Sequence, residues 1–256
     1  MRIVDLSIAL ENGVPADPPG YEFEIDYITH NNTVPTLQER YDGLQAKELI
    51  GEEAFALESI RLSSHNGTHV DSPWHYGSRM TDGSRARTID EIPLDWFYRP
   101  GIKLDFRQFP DGYIVTAEDI AAELDRIGYE LQSYDIVLMN TCAGARFGQK
   151  DYPFSGCGFG RDATMYLTDH GVRVVGTDAW SWDAPYKYVA QRYARDRDGS
   201  IIWEGHKAGL EREYCQIEKV FGLAELPATG FRVACFPVKI HAASAGWTRA
   251  VAIFDE

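Results

Sequence analysis

Apolar positions are spaced as in a strand at the start of the chain, as in alternating helices and strands in its middle, and as in strands again at its end. Residues 2–10, RIVDLSIAL, begin with β-branched character and predict a strand. Residues 11–50 are rich in Pro, Gly, Asn and charge. They predict a long, partly irregular covering segment of the kind that often carries function. In AFALESIRLSS (54–64), Phe55 and Leu57 share one parity and Ile60 and Leu62 the other, so a strand with a bulge or bend is expected.

TAEDIAAELDRIG (116–128) predicts a helix. Thr116 stands at the N-cap with Asp119 three residues on, Ile120, Leu124 and Ile127 recur at helical spacing, and Gly128 stops it. DIVLMN (135–140) follows as a buried strand, RDATMYLTDH (161–170) as a second helix and VRVVGTD (172–178) as a second buried strand. FRVACFPVKI (231–240) and TRAVAIFD (248–255) close the chain as strands, the first interrupted or at an edge because Pro237 cannot donate to a ladder. The expectation is one mixed α/β domain over residues 1–256, without internal repeats.

The chain has 256 residues, 44% hydrophobic and 25% charged, which is ample for a single core. Its 39 acidic and 25 basic residues give a formal charge of −14 with no basic stripe, which argues against nucleic acid and anionic membrane surfaces as partners. No run of eighteen apolar residues is present, and the N-terminus lacks the apolar core of a signal peptide, so a cytoplasmic location is expected. Cys142, Cys157, Cys215 and Cys235 form no C-x-x-C pair and read as reduced, mostly core thiols. GCGFGR (156–161) lacks the Walker lysine and the G-x-G-x-x-G spacing and reads as a plain loop, and no G-x-S-x-G elbow exists.

Candidate chemistry concentrates in SSHNGTHVDSPWHYG (63–77), which packs His65, His69, Asp71 and His75 into eleven residues. His65 and His69 have the i, i+4 spacing of a helical zinc motif, but Asn66 stands where the catalytic Glu would be. Gly67, Val70 and Pro73 also disfavour a helix. In an extended segment His69, Asp71, Pro73 and His75 leave one face, and Gly67 permits the turn that brings His65 onto it. Two imidazoles and a carboxylate suit zinc or a similar divalent ion. His75, further along, reads as a proton shuttle rather than a ligand. Asp178 and Asp183 follow a buried strand and either orient neighbouring groups or cap a turn. His30, His170 and His241 have no partner pattern.

HNGTHVDSPWH (65–75) resembles the H-x-G-T-H-x-D-x-P-x-H signature of the cyclase family of metal-dependent hydrolases, which includes bacterial kynurenine formamidases and isatin hydrolases. The resemblance extends to DLS (5–7), VGTDAWSWD (175–183) and HKAGLEREYCQIEKVFGL (206–223), with extra length in 20–55 and 183–205. It implies a swivelling β/β/α-type fold and a homodimer or homotetramer. It also implies hydrolysis of an amide-type C–N bond in a small, N-acyl or cyclic aromatic substrate by metal-activated water. By the same resemblance His65, His69 and Asp71 hold a first ion, Asp71 and Glu218 bridge to a second held by His206, and His75 is the acid–base group. On spacing alone, His206 also reads as a surface residue and Glu218 as a solvated helix carboxylate. The metal is expected to be Zn2+, one ion or two, with Mn2+ as the alternative.

One stretch departs from the family. Where the formamidases carry a substrate-contacting aromatic, GVPADPPG (13–20) has Asp17, which speaks against N-formylkynurenine as the main substrate. Asp17, Trp74 and Trp180 are the candidate substrate contacts. Lactone opening or dehydrative cyclisation at the same ions, and a non-catalytic metal-dependent binding protein, are the rival expectations.

Overall fold

The computed structural model of the chain describes residues 1–255. At its centre four parallel strands lie side by side in the order Tyr98–Asp105, Ile136–Asn140, Val174–Thr177 and Cys215–Glu218. These are the apolar runs between helical segments, and short αβ connections place them in parallel register. On one side antiparallel strands Phe231–Ala234, Val251–Phe254 and Arg2–Asp5 extend the sheet. On the other, His69–Asp71 pairs antiparallel with Cys215–Glu218, and Ala245–Trp247 pairs with it in turn. The result is one mixed nine-stranded sheet in an α/β domain.

Strand alternation divides the core in two. Ile136 and Leu138 join Val70, Val174 and Ile217 in one layer, closed by Ile89, Trp96 and Phe97. Val137 and Met139 join Val175 in the other, under Ile120 and Leu124 of the Ala117–Ile127 helix and Ala163 and Leu167 of the Arg161–Asp169 helix. The first of these helices begins and ends as its sequence dictates. Thr116 and Asp119 exchange capping bonds, and Gly128 closes it in the left-handed conformation at φ 66°.

Several elements differ from expectation. The first strand covers only Arg2–Asp5, because Leu6 and Ile8 leave the sheet to cover the core beneath the site. Residues 11–50 contain a strand, Glu24–Ile28, and a seven-residue helix, Val34–Arg40. Glu24–Ile28 pairs with Leu57–Arg61 in a separate two-stranded ribbon whose second strand is exposed along its whole length. The sheet strand within 231–240 stops at Ala234, before Pro237. GCGFGR contributes the short strand Gly158–Phe159, and Gly160 caps the following helix. The four cysteines are free, three of them buried. Among the described residues no helix is long and apolar enough to cross a membrane.

Candidate metal centre

The site is built on the pairing of His69–Asp71 with Cys215–Glu218, in which His69 lies opposite Glu218 and Asp71 opposite Gln216. Alternation sends Val70 and Ile217 into the core and all four polar side chains to the other face. His65 is returned to that face by a turn. Asn66 accepts from the Ser63 backbone N–H at 2.7 Å, and Gly67 takes φ +65°. A Cβ at Gly67 would also lie 2.7 Å from Leu10 Cδ2, so glycine is required there for conformation and for space.

The extended reading fails after Asp71. Pro73 starts a helical turn, Pro73–Tyr76, which carries His75 back over the strand. His75 Nε2 therefore lies 4.0 Å from Asp71 Oδ2, near enough to share an ion with it. The same turn sends Trp74 outward. It is 36% exposed, lines none of the cavity, and is withdrawn as a substrate contact.

Asp71 Oδ1 lies 2.9 Å from His65 Nδ1 and 3.3 Å from His69 Nε2, and His69 Nε2 lies 3.6 Å from Glu218 Oε2. Asp71 Oδ1 and His69 Nε2 are buried without a hydrogen-bond partner. Buried polar atoms are almost always partnered. Donors bonded at about 2.0–2.2 Å to one tetrahedral ion stand about 3.3–3.6 Å from each other. The 3.3 and 3.6 Å separations and the orphaned atoms fit a divalent ion among His69, Asp71 and Glu218, while His65 stands at hydrogen-bond distance from Asp71. His69 presents Nε2 because its Nδ1 bonds Gly67 O at 2.9 Å. His65 Nε2 is anchored by Ser244 Oγ at 3.0 Å.

The electrostatics point the same way. Burial works against the Asp71 carboxylate, but the imidazoles of His75, His69 and His65 outweigh it and hold the group well below the usual range. Burial, and then the facing charge of Asp71, push Glu218 up. Two buried carboxylates turned toward each other raise the cost of ionising both, which a cation or a hydrogen-bond donor between them relieves. Burial, reinforced by His206, His65 and His69 against the pull of Asp71, depresses His75 to about 3.

Both His206 and Glu218 are buried, which corrects the surface alternatives, and Glu218 ends a strand rather than lying on a helix. Glu218 Oε1 accepts from the Trp182 backbone N–H at 3.0 Å. His206 Nδ1 makes a very short contact to Asp183 Oδ2, which also accepts from the His206 N–H at 3.1 Å. Asp183 thus orients a neighbour, while Asp178 accepts from the Thr141 N–H and hydroxyl. Of the other histidines, His170 bonds Tyr166 O at 2.7 Å at its helix end and His241 meets Asp90 at 3.2 Å.

The cluster opens into a cavity of about 240 Å³ whose wall includes Asp17, Tyr21, His75, Trp180, Tyr186 and Trp203. A larger cavity of about 400 Å³ under residues 11–23, against Lys150 and Phe154, touches none of the metal-ligand candidates. Asp17 and Trp180 both line the smaller cavity, but they also bond each other, Trp180 Nε1 donating to Asp17 Oδ1 at 3.0 Å. Sequence reasoning missed Trp203, which stacks on His206 at 4.9 Å, as well as Lys219 and the buried Gln216. Gln216 had one usable signal, its shared parity with Glu218.

Fold and site together describe an α/β protein with a candidate divalent-metal centre at the floor of a small-molecule cavity. The chain belongs to the Cyclase family, described as "Putative cyclase", whose model matches residues 4–184. It is 28% identical over 201 residues to a kynurenine formamidase of Salinibacter ruber (strain DSM 13855 / M31), covering 78% of this chain and 81% of that protein. Its fold is similar to that of an isatin hydrolase bound to the product analogue thioisatinate, with a TM-score of 0.75 and 21% identity over 99% of this chain and 92% of the other. Isatin hydrolase A from Labrenzia aggregata, bound to benzyl benzoate, gives a TM-score of 0.74 at 24% identity over 100% of this chain and 94% of the other.

Proposed function

We propose that the protein is a metal-dependent hydrolase cleaving an amide-type C–N bond in a small aromatic, N-acyl or cyclic substrate. The observation that carries this reading is the pair of buried, unpartnered ligand atoms, His69 Nε2 and Asp71 Oδ1, beneath a cavity walled by Trp180, Tyr186 and Trp203. The Salinibacter ruber relative is a kynurenine formamidase, and isatin hydrolases share the fold; the same class of bond is assigned here. His69, Asp71 and Glu218 would hold the ion, with His65 beside Asp71 as a further donor, zinc first by donor chemistry, with manganese accepted by the same set.

A divalent ion bound there supplies Lewis-acid polarisation of a carbonyl and a water whose pKa falls toward about 7. The chain supplies the rest. The His75 imidazole, in the cavity wall and 5.2 Å from the Trp203 ring, takes up the proton of the attacking water and passes it to the leaving nitrogen. The aromatic wall excludes water and presents flat faces to an aromatic substrate. A small-molecule substrate fits a cavity of about 240 Å³. A homodimer or homotetramer in the cytoplasm belongs to the same reading.

The test is a panel of N-formylkynurenine, isatin, N-acyl anilines and lactones, assayed with protein loaded with zinc or manganese and with chelated protein. Metal-dependent turnover of at least one amide is expected, with N-formylkynurenine not the best substrate because Asp17 replaces the aromatic. Turnover of lactones alone would redirect the reading to C–O bonds. Metal binding without any turnover would make the protein a binding module.

A further inference from the structure

Four polar side chains meet where a second ion would lie beside the first. Asp71 Oδ2, His206 Nε2 and Glu218 Oε1 converge on one point, and that point is filled by the side-chain nitrogen of Gln216. Gln216 Nε2 stands 3.1 Å from Asp71 Oδ2, 2.8 Å from His206 Nε2 and 2.9 Å from Glu218 Oε1. We propose that this chain holds a single metal ion per site, because the Gln216 amide occupies the place of a second ion and does that ion's electrostatic work as a neutral donor. The proposal rests on the metal-dependent reading above.

Three observations support it. First, the spacing is that of hydrogen bonds. N–H donors sit about 2.7–3.2 Å from their acceptors, whereas zinc–ligand bonds are about 2.0–2.2 Å. Second, the amide is fixed in orientation and place. Gln216 is fully buried, its Nε2 faces two carboxylate oxygens that only a donor can satisfy, and its Oε1 lies 3.0 Å from the Tyr214 hydroxyl, which it shares with Gly205 O. The neighbouring His206 turns Nδ1 to Asp183 and Nε2 to the amide nitrogen, and in the tautomer with the proton on Nδ1 its Nε2 lone pair accepts the amide hydrogen. Third, among the described residues the groups close enough to hold an ion are His65, Asp71 and His75, and His69, Asp71 and Glu218. His206 belongs to neither, so no such group forms around the place that the Gln216 amide fills.

Gln216 takes this position by strand alternation. It lies two residues before Glu218, on the same face, directly across from Asp71. Its two hydrogens serve three acceptors, and it adds no charge. With a second ion excluded, His206 becomes a fixed wall of the cavity, held between Asp183 and the amide and stacked under Trp203.

The experiment reads metal stoichiometry, without substrate. Metal-free protein is titrated with Zn2+ by calorimetry, and dialysed protein is analysed for bound metal. The wild type is expected to bind one equivalent. Gln216→Ala, which opens the position, and Gln216→Glu, which adds a carboxylate there, are expected to bind a second. With Mn2+ the wild type should give the electron-spin resonance of an isolated ion and Gln216→Glu that of a coupled pair. Two equivalents in the wild type, one of them lost in His206→Ala, would overturn the proposal. So would a wild type with one equivalent and folded Gln216 variants that gain none. If both variants fail to fold, the wild-type stoichiometry decides. An inactive protein that binds one ion would sink the hydrolase reading and leave this one standing, and an active two-ion protein would do the reverse.

Discussion

Lys219 buries its ammonium against the Asp17 carboxylate in the wall of the cavity, although 202 residues separate them. Lys219 reaches it by leaving the strand after Glu218 with φ +58°. It also donates to His65 O at 2.8 Å. The other acceptor positions of Asp17 are taken by Trp180 Nε1 and by Asn66 Nδ2, the latter at 2.9 Å. Asp17 is therefore a clamp that pins the 10–22 segment to the metal-binding turn, with little capacity left for a substrate.

Removing that clamp should be costly. Asp17→Ala leaves the Lys219 ammonium buried without its charged partner. Breaking a buried pair by removing one member typically costs about 3–5 kcal/mol. The urea midpoint of Asp17→Ala should fall accordingly, and that of the double variant Asp17→Ala/Lys219→Met should fall much less. Equal loss in both would mean that the packing of residue 17, and not the charge pair, is what matters.

The ion should depend on His69 and Glu218 in equal measure, since they face each other across the strand pair. Groups that only support a ligand change metal affinity by about 10–100-fold. His69→Ala and Glu218→Ala should each exceed that range, measured by competition with a chromophoric chelator. Full zinc affinity in Glu218→Ala would remove Glu218 from the ligand set.

For His75 the structure makes the test sharper. Its 4.0 Å distance to Asp71 allows either ligation or proton transfer. The expectation is that His75→Ala keeps its metal and its fold and loses about 10²–10⁴-fold in kcat, the usual scale of general acid–base catalysis. The loss should shrink on substrates with good leaving groups. Metal loss matching that of His69→Ala would identify His75 as a ligand.

Asp178 gives a pH signature away from the metal. Burial raises its carboxyl to about 7, against the bonds from Thr141 that favour the charged form. The folded protein therefore holds this proton more tightly than the unfolded chain, where the group titrates near its ordinary 3.8. Its contribution to stability is full below about pH 4 and declines as pH rises to about 7. Between pH 5 and 8 the melting temperature of the wild type should fall relative to that of Asp178→Asn. Parallel pH profiles for the two would show that Asp178 is already ionised in the folded state.

The parts of this molecule that were legible in the sequence are those encoded by near neighbours. The 117–127 helix carries its own cap, spacing and stop, and His65 to His75 fall in one stretch because a turn, three strand residues and a helical turn suffice to assemble them. What was hidden depends on pairing across distance. Nothing near Asp17 names Lys219, and nothing near Gln216 says that Asp71 lies opposite it. The change of parity in 54–64 suggested a bulge or bend, but Leu57–Arg61 pairs in unbroken register with Glu24–Ile28 and stays exposed, so no buried face constrains its alternation. Pro73 is ambiguous in a different way: it is compatible with an extended run, yet here it initiates the turn that brings His75 to the site.

With the proposed ligand set, the register that sets His69 against Glu218 would make metal loading a record of correct folding. A slip of one residue between those strands would turn Gln216 and Glu218 into the apolar layer and bring Ile217 out to face His69 and Asp71. Only a chain with its late strand correctly seated beside its early one can close the coordination sphere. Once closed, the ion is a rivet between segments that no covalent bond joins, drawing the equilibrium toward the native pairing by about 2.7 kcal/mol when free metal exceeds its dissociation constant a hundredfold. Metal scarcity would thus be felt as a shortage of durable protein as well as of activity.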